Sequence, residues 1–449
     1  MKPATRWGLG VAGTLLVVIY AVLACFQPRG LAEFAYRPFT PEPLPWSAMR
    51  GFTYEQLTQH VSRALVLGPG IFACWIAAVG WRKGEALSVK LSPTRVAQVF
   101  AAASVLLTSF VTFGLLRGRA LTDDELAYSM QAGLLSEGRL GLLVPGFTPN
   151  DYFTISTRVG YTGKYLIGEP LVQVLGVLVG VPAMLHPLLF ALTLWAWFSA
   201  LRTRVGERVA SWATCALALS PMVVLTTATG LSHATALFCV VVAGLGLEWV
   251  RSEREMRGIV LLAMALGYCV LTRPQVGVPV AAVWVPWASI LLLRRRQWLP
   301  LLTLCLVGAM WIGLAGAYNA ALTGSALKLP WYQQCGGEHY GFGRVWSYDT
   351  YEHTPLRAIE NLLVVLVRFN SWWLGLPWGL LLLGAWIAVG RPRQGLTIWA
   401  WAAGALTLFE AGYYSTGVSD TGPVYHYEWI LPASLIAGWV FERGLARWS

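Results

Sequence analysis

The sequence predicts an all-α polytopic membrane protein with about twelve transmembrane helices, in a range of roughly ten to fourteen, and further helices lying along its outer surface. Three observations lead there. Of 449 residues 56% are hydrophobic and only 12% charged, about half the charged share of an ordinary soluble domain, and mean hydropathy is +0.56. Apolar runs of membrane-crossing length alternate with short loops, and basic residues concentrate in every second loop. A soluble domain, a disordered chain and a nucleic-acid partner are excluded. The net charge of +11 is sorted by side of the bilayer rather than gathered on one face.

The first run, residues 7–26, follows Lys2 and Arg6. At about 20 residues it suits a spanning helix, and no A-x-A cleavage site follows it. Further runs are 64–81, 96–116, 185–201, 209–228, 231–249, 258–272, 276–293, 299–317, 372–389, 396–413 and 428–441, of which 258–272 and 428–441 are the shortest. With the N-terminus inside, segments 1–6, 82–95, 202–208, 251–257, 294–297, 391–393 and 442–449 face the cytoplasm, and they carry 19 of the 33 Lys and Arg. Both termini are then cytoplasmic, and all six histidines lie outside or at outer helix ends. Three outer segments are long: 27–63, 117–184 and 318–371. The apolar stretch Pro170 to Pro182 is too short to span and is expected to lie along the surface. In 355–368, Leu356, Ile359, Leu363 and Leu366 share one face, with Arg357, Glu360 and Arg368 away from it, an interfacial helix pattern. Seven cysteines form no metal or disulfide spacing, and no internal repeat is evident.

Polar chemistry gathers on the outer side. Directly after the third run comes Thr122-Asp123-Asp124-Glu125-Leu126-Ala127-Tyr128. Thr122 and Glu125 match a capping box, and acids in a first turn meet the positive end of the helix dipole. One acid suffices for that. The others suit a carboxylate at the membrane surface able to take a proton from a hydroxyl nucleophile. Arg273, beside Pro274 between two runs, fits either a snorkelling interface residue or a ligand contact, and Lys164 is comparable. His233 at an outer helix start suits a local hydrogen bond as well as a substrate contact. Tyr425, His426 and Tyr427 suit an aromatic belt, in a chain with 23 Trp, as well as a site. Glu410, inside an apolar run near its outer end, is costly to place and is a functional candidate.

Asp124-Glu125-x-x-Tyr128-x-x-x-Ala132 after an outward span resembles the first outer loop of the GT-C glycosyltransferases, especially protein O-mannosyltransferases and the lipid A aminoarabinose transferase. Gly163-Lys164-Tyr165 with Pro170-Leu171 resembles the juxtamembrane strip that follows there. Ser232-His233, Thr272-Arg273-Pro274, Tyr318-Asn319, Thr323-Gly324, Leu329-Pro330 and Gly341-Phe342-Gly343 resemble recurring outer helix ends, and Gly422-Pro423-Val424-Tyr425-His426-Tyr427-Glu428 with Pro432 resembles the closing strip. The resemblance runs from about residue 96 to the C-terminus. The chain thus divides into 1–95, a helix pair with loop 27–63, and a GT-C-like catalytic domain, 96–449. Two departures stand out. Val424 replaces a usual basic residue, and Gly168-Glu169-Pro170 lacks the lysine that the aminoarabinose transferase carries beside its proline.

The resemblance implies a plasma (bacterial inner) membrane glycosyltransferase. It would move a hexose or pentose from a polyprenyl-phosphate-linked donor to an extracytoplasmic lipid, glycan or protein hydroxyl, with inversion. Asp124 would be the general base and Asp123 the fallback. Substrate contacts would come from Glu125, Tyr128, Arg158, Lys164, Tyr165, His233, Arg273, Arg344, Tyr425, His426 and Glu428, with Lys164, Arg158, Arg273, Arg344 and His426 as the groups available for the donor phosphate. No cofactor is required; a divalent ion would supply similar charge, but no spacing specifies one. Membrane lipids are the other expected partners, and the oligomeric state is open. The rival readings are a twelve-helix secondary transporter and a noncatalytic scaffold or lipid-handling subunit. A transporter should carry internal repeats around a midplane site, which this sequence lacks.

Overall fold

The computed structural model describes residues 92–143, 154–181, 185–333, 339–346, 350–373 and 378–448, with single gaps at 119, 121, 391 and 420, together with Leu15. The expected spans 7–26 and 64–81, with loop 27–63, lie outside the described residues.

Helix α1, Pro93–Ser109, starts at Ser92, whose hydroxyl accepts from the Arg95 amide, and carries proline in its first turn. It continues into a π-helical turn, Phe110–Leu115. Arg117 and Gly118, both at positive φ, turn the chain into α2, Asp123–Ser136. A hairpin of β1, Thr154–Thr157, and β2, Gly160–Gly163, pairs Thr154 with Gly163, and α3, Gly168–Leu178, follows it. Glu169 and Gln173 of α3 are buried while Leu171, Leu175 and Leu178 are exposed, the two-faced pattern expected of a helix lying along the surface.

The bundle then builds from α4, Leu185–Val205, α5, Glu207–Ala218, α6, Pro221–Ala228, α7, Ser232–Arg251, α8, Glu255–Thr272, α9, Pro274–Arg294, and α10, Trp298–Thr323. The expected run 209–228 is broken, because Pro221 cannot continue a helix and Ser220 caps a new one, giving a 56° bend between α5 and α6. A second hairpin, β3 Gly343–Trp346 with β4 Thr350–His353, precedes α11, Pro355–Trp372. Helices α12, Trp378–Ala388, and α13, Leu396–Glu410, lead to a short β5–β6 pair, Val418–Ser419 with Gly422–Pro423. The chain ends in a 3-10 turn, Val424–Trp429, and α14, Ile430–Trp448.

Among the described residues five helices are long and apolar enough to cross a membrane: α1 with its π turn, α7, α8, α9 and α10. The bent α5–α6 pair makes a sixth if taken as one span. The expected count of about twelve is not reached within these residues. The run 372–389 divides between α11 and α12, 396–413 stops at Glu410, and 428–441 begins only at Ile430 behind the 3-10 turn. In α11 the expected apolar stripe Leu356, Ile359, Leu363 and Leu366 is exposed while Arg368 is buried.

Helix α7 is the axis of the bundle, most of its surface covered by protein. It meets α8 so closely that a Cβ on Gly246 would lie 2.7 Å from the Gly258 carbonyl oxygen, the small-residue contact that lets helices pack where lipid tails remove the hydrophobic drive. Trp399 fits over Gly244 and meets Trp197 and Trp284 edge-on at 4.7 and 5.4 Å. By contrast α10 leaves Leu299, Leu306 and Ile312 exposed, the surface of a lipid-facing helix.

Candidate active site

The site grows from the cap of α2. Thr122 accepts from the Glu125 amide at 3.4 Å, as the capping box requires, and Glu125 turns inward to 2% exposure beside Gly230. Asp124 points the other way. The Tyr165 hydroxyl donates to Asp124 Oδ1, and Lys164 Nζ lies 3.6 Å from the same oxygen, which leaves Oδ2 of a side chain that is 42% exposed. Burial, and then the Asp124 charge, raises the Tyr165 hydroxyl above its ordinary range. The phenol therefore stays a proton donor to Asp124. Asp123 is exposed.

Tyr165 is held from behind. Gln131 Nε2 donates to the Tyr165 carbonyl at 2.8 Å and to the Tyr318 hydroxyl at 2.9 Å. The fit needs Gly163, where a Cβ would lie 2.6 Å from the Ala127 carbonyl oxygen. The Tyr165 ring lies 4.7 Å from that of Tyr128, whose hydroxyl makes a 3.0 Å hydrogen bond with Ser232 Oγ. Burial raises the Tyr128 hydroxyl too, so it remains neutral.

Ser232 links this acidic side to a buried cation. Arg273, between α8 and α9, places Nη1 3.3 Å from Ser232 Oγ and 3.2 Å from His233 Nε2, with its guanidinium 5.6 Å from the centre of the Tyr425 ring. Its Nε has no hydrogen-bond partner. The charge is felt by Glu410 and Glu428, both buried, with all four carboxylate oxygens lacking a hydrogen-bond partner. Among the described residues no carboxylate lies within ion-pair distance of Arg273. Tyr425 is pressed into place by Gly417 at φ +59°, where a Cβ would meet the ring at 2.0 Å.

The structure therefore brings Asp124, Tyr128, Lys164, Tyr165, His233, Arg273 and Tyr425 into one cluster, with Glu428 and Glu410 behind the cation. It does not bring Arg158 or Arg344. Arg158 is exposed and its guanidinium covers Gly324 at the end of α10. Arg344 is exposed on β3. His426 is buried against Trp429, ring centres 4.5 Å apart, and burial lowers its imidazole to about 4; it is neutral at pH 7 and supplies no charge to a phosphate. Glu169, standing where the resemblance has a lysine, is wholly buried, with its Oε1 3.0 Å from His186 Nε2 and 3.2 Å from Gln173 Nε2. That carboxylate ties α3 to α4. Gln131 and the Glu169–His186 pair were not singled out from sequence. Gln131 carries a signal, a lone amide on the apolar Ala127–Leu134 face of α2. Among the described residues no three His, Cys, Asp or Glu side chains converge as a metal site.

No family model and no curated protein matches the chain. Among solved structures, ArnT from Cupriavidus metallidurans bound to undecaprenyl phosphate superposes with a TM-score of 0.52 at 17% identity, over 78% of this chain and 61% of that one. The fold is that of ArnT. The apo form of ArnT gives a TM-score of 0.49 at 18% identity, over 83% of this chain and 62% of that one. The likeness is one of fold, in a chain that spans about three fifths of ArnT's length.

Proposed function

We propose that the chain is an integral membrane glycosyltransferase that moves a sugar from a polyprenyl-phosphate donor to an acceptor hydroxyl on the extracytoplasmic side. The observation that carries this reading is the joining of an open carboxylate, Asp124, to a buried, charge-unpaired Arg273 through Tyr165, the Tyr128 ring packed beside it, and Ser232, in a fold shared with a protein solved with undecaprenyl phosphate. In the reaction the acceptor oxygen attacks the anomeric carbon from the face opposite the phosphate. Asp124 Oδ2 takes the hydroxyl proton, the carbon–oxygen bond to phosphate breaks, and its electron pair leaves on the phosphate. The sugar inverts. Polyprenyl phosphate is a weakly basic leaving group, so it needs cationic stabilisation rather than a general acid. Arg273 and Lys164 supply it, and Tyr128, Tyr165 and Tyr425 form aromatic walls for the sugar. Asp123, one residue away and exposed, is the fallback base. The basic loops support a cytoplasmic position for the other end of the bundle and for both termini.

The test is release of polyprenyl phosphate from a panel of labelled polyprenyl-phosphate sugars by purified full-length protein, with membrane extract as acceptor. Turnover of at least one donor is expected, absent in Asp124→Asn while donor binding persists. A folded wild type that neither binds nor turns over any donor sinks the proposal and favours the transporter or scaffold.

A further inference from the structure

At the opposite end of the bundle Arg204, Arg251 and Arg393 converge with Gly395, Thr397 and Ile398 on a cavity of about 270 Å³. The arginines come from three separate segments: the last turn of α4, the last turn of α7 and the link before α13. Glu248 lies 3.2 Å from Arg251 and 3.6 Å from Arg204. One carboxylate against three guanidinium groups leaves the cavity cationic. Arg393 is exposed and makes no hydrogen bond or ion pair with its side chain among the described residues. The cavity also receives the start of α13, where Gly395 at φ +75° offers no side chain to cap the first-turn amides of Thr397 and Ile398. Those amides and the helix dipole add to the positive field. Arg251 is steadied on Trp287, 5.0 Å from the ring centre.

Basic residues are common on one side of membrane proteins, but neighbours here show what a spent arginine looks like. Arg295 donates to the Val250 and Arg251 carbonyls and to Glu255, and Arg443 to the Val389 carbonyl. The three cavity arginines instead keep a surplus of charge and open donors around one concavity. Their planar, forked donors suit the oxygens of a phosphate. We infer that this cavity binds a phosphate group, roughly one helix length from the candidate active site. At a cytoplasmic helix end the source at hand is the headgroup of an acidic phospholipid, and soluble phosphate has the same chemistry.

The full chain, purified in detergent, is examined by native mass spectrometry after addition of phosphatidylglycerol or phosphatidylcholine, and by thermal shift with inorganic phosphate. Arg393→Gln is the primary variant because it breaks no contact in the fold; Arg251→Gln is the second. Preferential retention of phosphatidylglycerol, reduced about fivefold in Arg393→Gln, supports the site and makes its occupant a lipid. No lipid preference, but stabilisation by inorganic phosphate that Arg393→Gln weakens, supports the site with a soluble occupant. Equal retention and equal shifts in wild type and in a folded Arg393→Gln overturn it. The outcome is independent of whether the opposite end transfers sugar.

Discussion

At its first turn α7 presents Ser232 and His233 to an arginine that has no carboxylate within ion-pair distance among the described residues; at its last turn it presents Glu248 to two arginines at 3.2 and 3.6 Å. One helix thus carries a cation stabilised by neutral groups at one end and shared ion pairs at the other. A buried charge without a counter-ion is expensive, and nothing in packing requires Arg273 to stand there. Its charge is felt by Glu410 and Glu428 without an ion-pair contact, and on the proposed reading it holds an anion. Around Glu248 much of the field is already consumed in holding α4 to α7, and only the surplus of the third arginine is left over. On the proposed reading, the charge held apart serves chemistry and the charge held together serves structure.

The comparison breaks most visibly if the outer end proves structural. Asp124→Asn is expected to lower sugar transfer by roughly 10²- to 10⁴-fold, the usual worth of a positioned general base, with donor binding retained and the melting temperature little changed, since the carboxylate is partly exposed. Full turnover in that variant moves the base to Asp123. Arg273→Gln is expected to lower turnover by roughly 10²- to 10³-fold without a lower melting temperature, because the variant removes an unpaired buried charge. Collapse of the fold with normal turnover in the surviving molecules would make Arg273 a structural residue and erase the distinction between the two ends.

How far the sequence reaches differs along the same lines. The cap of α2 is legible because Thr122 and Glu125 are three residues apart and their contact is local. The surface position of α3 and the exposed stripe of α11 follow from length and helical period. The company of Arg273 is not legible in that way: Ser232, Tyr128 and Tyr425 come from separate segments, and only close packing at Gly163 and Gly417 brings them together. The same limit misplaces Arg158 and Arg344, which carry the right charge but sit exposed on a hairpin turn and on β3, away from the cluster. Glu169 reads as a lost phosphate ligand, yet its burial against His186 shows a different duty. Helix count suffers too, since Pro221 breaks one apolar run and the run at 372–389 is shared between two helices.

His426 sharpens the outer end further. Burial lowers its imidazole to about 4, against about 6.5 in an unfolded chain. Between those values the unfolded chain binds the proton and the folded one does not, so stability is fully present above about 6.5 and falls as pH drops through about 4. The full span amounts to roughly 3 kcal/mol. Thermal melts from pH 7 to pH 4 are expected to show that slope in the wild type and a shallower one in His426→Gln. Parallel slopes would mean that the folded imidazole keeps its ordinary value and becomes a cation below about 6.5, adding a third positive group beside Arg273 and Lys164 as the pH falls.

Glu248→Gln tests the inner end and carries the smallest expected effect. Removing one member of a buried pair leaves its partners short of charge, but Arg204 and Arg251 keep 38% and 24% side-chain exposure and water screens much of the loss. A destabilisation of roughly 1 to 2 kcal/mol is expected, read as a lower melting temperature, while turnover per folded molecule at the far end of α7 is unchanged. Retention of phosphatidylglycerol should rise in the same variant, because deleting the carboxylate raises the positive charge of the cavity. A variant that loses turnover while keeping its melting temperature would show that the two ends of α7 are energetically coupled, and the division of labour along this helix would fail.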